Sequence, residues 1–309
     1  MENKANKGLL VIIVGPTAVG KTDISINLAK SFRTEIISAD SRQMYHEMQI
    51  GTARPSELQM QEVKHHFVAN ISINDYYNAS MYEFECISLL EKLFQKHEIV
   101  VLTGGSGLYI DAITKGIDDL PTIDPEVRSN MLSLFENEGI EGLRNRLKIV
   151  DPEYYSKADL MNHKRLLKAL EVATMTGMPY STFLTYQKKE RSFDMLKICL
   201  HTDRELLYKR INQRVDNMLE QGLLEEVKSL LPYRSLNALN TVGYKELFDY
   251  FDQKITLETA IELIKRDSRR YAKRQLTWFS KEKNEYNWIE TTEKEKILEL
   301  IEAYIIKNG

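Results

Sequence analysis

The chain has 309 residues, 43% of them hydrophobic and 28% charged, with a formal net charge of −3 at pH 7. That balance fits a soluble globular protein long enough for one large domain and a smaller one, and excludes a largely disordered chain. It also excludes a protein that coats nucleic acid indiscriminately, while leaving room for a localised basic face.

Two cysteines, Cys86 and Cys199, rule out a disulfide framework and a cysteine zinc site, so both are expected as small buried apolar residues. The longest apolar run near the N-terminus is six residues, Leu9 to Val14, too short for a signal-peptide core or a membrane span. A cytoplasmic monomer without a membrane partner is expected.

Short apolar runs alternate with helical patterns up to about residue 115, the mark of α/β organisation. Leu9 to Val14 forms the first strand and runs into GPTAVGKT, Gly15 to Thr22, ahead of the helix-compatible DISINLAKSF. Thr34 to Ala39 is a second strand ending at Asp40. Ser80 and Glu83 have the spacing of a capping box before a helix whose apolar face includes Phe84, Ile87, Leu90 and Phe94. Ile99 to Thr103 is a third strand, stopping at Gly104 and Gly105. Charged helices with turn signals at Pro121, Pro125, Gly139, Pro152 and Gly177 then indicate an insertion, and Met195 to His201 returns the chain to the sheet. From Asp203 to the end the pattern is helical, with breaks at Gly222, Pro232 and Gly243. The fold class is therefore α/β: a parallel sheet of the P-loop NTPase kind flanked by helices, with an inserted all-helical domain. The divisions are 1–117 for the first part of the core, 118–193 for the insertion and 194–309 for the rest of the core.

The G-x-x-x-x-G-K-[ST] pattern carries the most specific chemistry. A buried strand, a glycine-rich turn and a helix aim backbone N–H groups and the helix dipole at one volume that suits a phosphate chain. Lys21 adds a mobile positive charge, and Thr22 a hydroxyl suited to Mg²⁺ that keeps some of its water, with Asp40 a second candidate ligand. Read alone, the loop points to nucleotide (ATP) binding. Ligands of an open parallel sheet bind beyond the carboxyl ends of its strands, so Gly15–Thr22, Asp40–Gln43 and Gly104–Gly107 should converge. Asp40 can hold a metal, accept a proton from a nucleophile, or only cap a turn. Ser106, in GGSGLY, is either a hydroxyl held close to a substrate or a turn serine.

Arg210 and Arg214 stand four residues apart on the helix Arg204 to Gln221, opposite Leu207, Ile211, Val215 and Met218. They can clamp a diphosphate or form a solvated face. Ile264 to Lys281 holds seven basic residues against the single acid Asp267, interleaved with Tyr271, Trp278 and Phe279, a pattern suited to a phosphate backbone. Lys164, Arg165 and Lys168 form a second basic cluster, and the two together suggest a polyanion such as RNA. His65 and His66 are adjacent, so on a strand they face opposite ways and cannot chelate one metal together.

GPTAVGKT, SADSRQMY with IGTARP, HHF, GGSGLY, RLLKALEV, DRELLYKRINQRVDNML, VGYKE and RRYAKRQLTWF follow one another in the order found in bacterial tRNA dimethylallyltransferases. The chain resembles that family from about residue 8 to 280. The resemblance implies transfer of a dimethylallyl group from dimethylallyl diphosphate to the exocyclic amine of the adenosine just 3′ of the anticodon in tRNA, assisted by Mg²⁺. On this reading Gly15, Pro16, Thr17, Ala18, Val19, Gly20, Lys21 and Thr22 hold the departing diphosphate with Arg214. Asp40 is the general base, and Ser106 hydrogen-bonds near the reacting amine.

The resemblance further implies tRNA contacts at Asp40, Ser41, Arg42, Gln43, Ser106 and Arg128. It extends them to Lys164, Arg165, Leu166, Leu167 and Lys168, and to Asn240, Thr241, Val242, Gly243, Tyr244 and Lys245. The insertion would grip the anticodon stem-loop, and the adenosine must be flipped out to reach a buried diphosphate. The chain departs from the family pattern at NISINDYYNAS, at Ser106 in place of threonine, and at MNHKR. Rival readings are an enzyme that prenylates free AMP, ADP or ATP, a small-molecule kinase, and a noncatalytic nucleotide-sensing RNA binder.

Overall fold

A computed structural model describes residues 7–185 and 187–308. Strand β1, Leu9–Val14, is buried along its whole length, as a central parallel strand covered on both faces must be. It leads through the glycine loop into helix α1, Lys21–Ser31, and then β2, Ile36–Ala39. Helix α2, Glu57–Glu62, precedes the two-residue strand β3, His65–His66. Helix α3, Ala79–Leu93, strand β4, Ile99–Gly104, and helix α4, Gly107–Thr114, complete this half.

After the inserted helices α5 (Pro125–Val150), α6 (Pro152–Lys157) and α7 (His163–Thr176), strand β5, Asp194–His201, re-enters the sheet. There follow α8 (Arg204–Glu220), α9 (Leu223–Ser229), α10 (Tyr244–Phe251), α11 (Leu257–Ser280), β6 (Asn287–Glu290) and α12 (Glu295–Asn308).

The sheet runs β3-β2-β4-β1-β5-β6, and every pairing among the described residues is parallel. Its register sets Val14 and Ala39 on either side of Gly104, so the carboxyl ends of β1, β4 and β2 finish level. Gly104 has to be glycine there, because a Cβ would lie 2.2 Å from the Ala39 carbonyl oxygen. On one face, Ile26, Leu28 and Ala29 of α1 join Leu207 and Ile211 of α8 and Ile297 and Ile301 of α12 against the strands. A second apolar cluster gathers α8 to α11 around Tyr244, Leu247, Phe248 and Ile264.

The chain divides into two compact units, one of residues 1–114 with 190–309 and the other Lys115–Lys189. The boundary falls before Arg191 rather than after residue 193, because Arg191 donates to the carbonyls of Ala112 and Ile113 and to Glu83. Within the smaller unit, Leu143 and Leu147 of α5 pack with Leu166 and Leu170 of α7. Helix α5 is broken at Gly139, whose φ of 65° is left-handed. Asp151, almost fully buried, caps α6 by accepting from Tyr154 N and also accepts from Ser181 N and Oγ.

Several expectations from the sequence are overturned. Asn78, not Ser80, caps α3 by accepting from Met81 N, and Glu83 is instead buried against Arg191. Phe84 is 78% exposed, and the buried stripe is Tyr82, Cys86, Leu90 and Leu93. The segment after Asp203 is not wholly helical, since β6 pairs with β5; only Ile289 of its four residues is buried, too weak a signal beside charged neighbours.

The Glu83–Arg191 pair, with side chains 8% and 9% exposed, sits where neither charge can be resolvated cheaply. Removing one partner strands the other. Arg191→Leu is expected to lower the unfolding free energy by about 3 kcal/mol or more, read from urea melts.

Candidate active site at the carboxyl edge of the sheet

The loop after β1 takes its shape from three unusual backbone positions. Gly15 has φ 146°, Ala18 φ 63° and Gly20 φ 105°, the last as N-cap of α1. A Cβ on Gly15 would lie 2.6 Å from the Leu200 carbonyl oxygen, so the loop is pressed against the end of β5. Pro16 and Val19 are buried and serve through their backbone; Thr17, Lys21 and Thr22 are part-exposed. Lys21 Nζ donates to Gly15 O at 3.0 Å and Pro16 O at 2.8 Å.

Arg214 reaches the loop from α8, donating from Nη1 to Thr17 Oγ1 at 3.1 Å and from Nη2 to Ala53 O at 3.4 Å. Burial, reinforced by the Arg214 charge and partly offset by Asp40, holds the Lys21 ammonium down at about 8. Burial likewise lowers the Arg214 pKa, against the attraction of Asp40. Two desolvated cations facing one carboxylate make a strongly anion-seeking volume.

Asp40, one residue beyond β2, accepts on Oδ1 from Arg42 N at 2.9 Å and Gln43 N at 3.3 Å. This is a turn-forming contact, and among the described residues Oδ2 takes no hydrogen bond. Ser106 donates its N–H to Ala39 O at 3.2 Å, and its Oγ accepts from Ser41 N at 3.0 Å. The serine is thus tied to the Asp40 turn. Burial, with the nearby Asp40 charge, pushes the phenol of Tyr271 of α11 up to about 12. Arg42 is committed to the Asn237 and Ala238 carbonyls, and Gln43 to those of Thr52 and Ala53.

Two clefts meet over these residues. One, of about 330 Å³, lies along the phosphate loop and includes Lys21, Thr22, Asp23 and Arg210 in its wall. The other, of about 530 Å³, runs out past Asn240–Gly243 and Lys245 to Arg270 and Arg274. Thr17, Asp40, Thr52, Arg214 and Tyr271 line both. Thr22, Asp23 and Asp40 give the first cleft an oxygen-only donor set open to solvent, chemistry that fits Mg²⁺ and not a thiolate- or imidazole-bound metal.

Other sequence-derived candidates fall elsewhere. Tyr244 is fully buried, its hydroxyl donating to Glu226, so it offers no side chain to a nucleic acid. Leu166 and Leu167 are buried in the core of the smaller unit for the same reason: they are the apolar stripe of α7. In that unit Lys164 and Arg165 are exposed, Arg128 pairs with the buried Glu171, and burial lowers the Lys168 pKa.

The basic run on α11 is less free than its composition suggests. Lys265 pairs with Asp216, and Arg266 and Arg270 share Asp267. His65 and His66 lie on β3; His66 Nε2 meets Glu35 at 2.5 Å and the His65 ring Nδ1 meets Val63 O, so both are structural contacts. The divergent segments are ordered into the fold, Asn162 of MNHKR capping α7 and Asp75 closing a turn on Ser72 N.

Sequence reading missed residues that hold the site together. Gln275 lies on the face of α11 shared by Tyr271 and Trp278, which the sequence marks as aromatics interleaved with the basic run, and the surrounding charges mask it. Gln275 touches two site loops, and the Trp278 ring lies where a Cβ on Gly107 would fall, 2.5 Å away. Glu226 of α9 accepts from Gln49 N, Ile50 N and Gly51 N as well as Tyr244, pinning the loop that bears Thr52.

A family model described as IPP transferase matches residues 43–282. The chain belongs to this family. Within it, the chain is 53% identical over 292 residues, 94% of each chain, to the tRNA dimethylallyltransferase 1 of Bacteroides thetaiotaomicron. It is 52% identical to the tRNA dimethylallyltransferase of Christiangramia forsetii, covering 96% of this chain and 98% of that one. Among solved structures it is similar to the tRNA isopentenylpyrophosphate transferase of Bacillus halodurans, with a TM-score of 0.69, 35% identity and coverage of 98% and 97%. It is also similar to a eukaryotic dimethylallyltransferase acting on tRNA, with a TM-score of 0.81, 26% identity and coverage of 98% and 80%.

The lowered Lys21 pKa fixes a pH signature for this IPP transferase site. Below about 8 the side chain is charged and attracts an anion; above it the charge is lost. Affinity for inorganic diphosphate, measured by titration calorimetry, is expected to fall as pH rises through that value. Lys21→Met should bind more weakly and lose this component of the pH dependence.

Proposed function

We propose that the chain transfers the dimethylallyl group of dimethylallyl diphosphate to the exocyclic N6 amine of the adenosine 3′-adjacent to the tRNA anticodon, releasing diphosphate. The observation that carries this reading is the junction of the two clefts, where the cleft along the phosphate loop and the larger cleft share Thr17, Arg214 and the Asp40 carboxylate in their walls. A phosphoryl-transfer enzyme would need its second substrate to approach the terminal phosphate. Here the larger cleft instead runs out toward Lys245 and Arg274, with Arg270 held by Asp267 beside them, and these cations suit a nucleic-acid backbone. The names of the relatives support the same assignment.

In the reaction the C–O bond of the donor breaks, a C–N bond forms at N6, and the N6 proton leaves. The backbone N–H groups of the loop from Ala18 to Thr22, with Lys21 and Arg214, stabilise the negative charge that grows on the diphosphate. An adenine amine is a weak nucleophile that becomes acidic only as it is alkylated, so an acceptor fixed within hydrogen-bond reach matters more than a shifted pKa. Asp40 fills that role through Oδ2, since Oδ1 is held by the Arg42 and Gln43 amides.

Ser106 keeps Ser41 and the Asp40 turn in place. Thr22 would hold Mg²⁺ together with diphosphate oxygens, and the ion would add charge neutralisation on the leaving group. The adenosine must leave its stack to reach Asp40, and the exposed Lys164 and Arg165 of the smaller unit supply charge for the anticodon stem.

The test is incubation with labelled dimethylallyl diphosphate and either unmodified tRNA or free adenine nucleotides, followed by mass analysis of nucleosides. Label in tRNA adenosine is expected; label only in AMP would overturn the assignment. Asp40→Asn should lower kcat by about 10²- to 10⁴-fold while both substrates still bind. Near-normal turnover by that variant would remove Asp40 as the base.

A further inference from the structure

Gln275 is 5% exposed, a polar side chain among the otherwise apolar buried residues of α11, Ala260, Ile264, Ala272 and Phe279. Its Oε1 accepts from Thr17 N at 2.8 Å, and its Nε2 donates to Gly105 O at 2.9 Å. A carboxamide supplies one acceptor and one donor from the same plane, which is what two loops presenting an N–H and a C=O require. The contact is close on the second side: a Cβ on Gly105 would fall 2.1 Å from Nε2.

Each bond continues into a different half of the site. Thr17 Oγ1 receives the Arg214 guanidinium, the clamp on the leaving group. Ser106, next to Gly105, receives Ser41 N on its hydroxyl and gives its own N–H to Ala39 O, immediately before Asp40.

We infer that Gln275 is a positioning residue that locks the diphosphate loop to the Ser106 loop, so that the donor and acceptor halves of the site keep one fixed separation. This rests on the transfer reading given above. Carbon transfer between two bound substrates depends on that separation, because a nucleophile misplaced by about 1 Å can cost about 10²-fold in rate. If Gln275 merely filled space, an apolar side chain of similar length would serve as well.

Two variants separate these roles. Gln275→Met keeps the length and packing but removes both bonds. Gln275→Glu keeps an acceptor for Thr17 N but sets a carboxylate against Gly105 O. Both are expected to fold and to lower kcat by about 10-fold or more, with KM for tRNA and for dimethylallyl diphosphate changed by less than about threefold.

Hydrogen–deuterium exchange on the full chain, with inorganic diphosphate and Mg²⁺ as the probe, gives a readout independent of turnover. In the wild type, binding should slow exchange at both residues 15–22 and residues 105–107; in the variants only the first segment should respond. Wild-type protein that shows this coupling but transfers nothing would count against the transfer reading and not against the lock. Wild-type kcat in Gln275→Met, retained coupling in it, a loss confined to KM, or failure of the variants to fold would each overturn the lock.

Discussion

Everything at this site depends on the register of three adjacent parallel strands. Val14 and Ala39 are both partners of Gly104, so the chain leaves β1, β2 and β4 at one level and in neighbouring positions. The phosphate loop, the Asp40 turn and the Ser106 loop converge for that reason alone. The strands can hold this register because they are buried on both faces, and a shift by one residue would turn every side chain of a strand to the other face. The helices then add what the strands cannot: Arg214 from α8, and Tyr271 with Gln275 from α11.

The electrostatics follow from that convergence. Lys21 and Arg214 are both partly shielded from water and repel each other, with Asp40 the attracting charge on both. A site built this way is electrostatically incomplete until an anion enters, and the anion is most valuable when its charge is largest. On the proposed transfer the diphosphate gains charge as its bond to carbon breaks, so the same arrangement would favour the later stage of that reaction over the earlier one. The Asp40 carboxylate lines both clefts at the same junction, and on the proposed transfer it would take up the N6 proton.

Much of this was legible in the sequence, and the reasons differ by element. Strand β1 and the loop after it were plain because an uninterrupted apolar run followed by Gly15 to Thr22 has few other structural solutions. Asp40 and Arg214 were legible as candidates, one from its place at a strand end and the other from helical spacing. The two-residue β3 and the mostly exposed β6 were not, since neither carries enough buried side chains to leave a period. The cap of α3 was misplaced because Asn78 and Ser80 both suit such a position, and burial of Glu83 against Arg191 decided between them. Gln275 was invisible for a different cause: its partners are the backbone groups of Thr17 and Gly105, remote in sequence and silent in composition.

The carboxylate of Glu226 has a kinetic meaning beyond its hydrogen bonds. By gathering the amides of Gln49, Ile50 and Gly51 it holds a surface loop in a single conformation. A loop left free would have to be ordered at each encounter, subtracting its lost conformational entropy from the affinity of whatever it meets. Here that ordering is completed once, during folding, so the wall that carries Thr52 greets an incoming molecule as a rigid template.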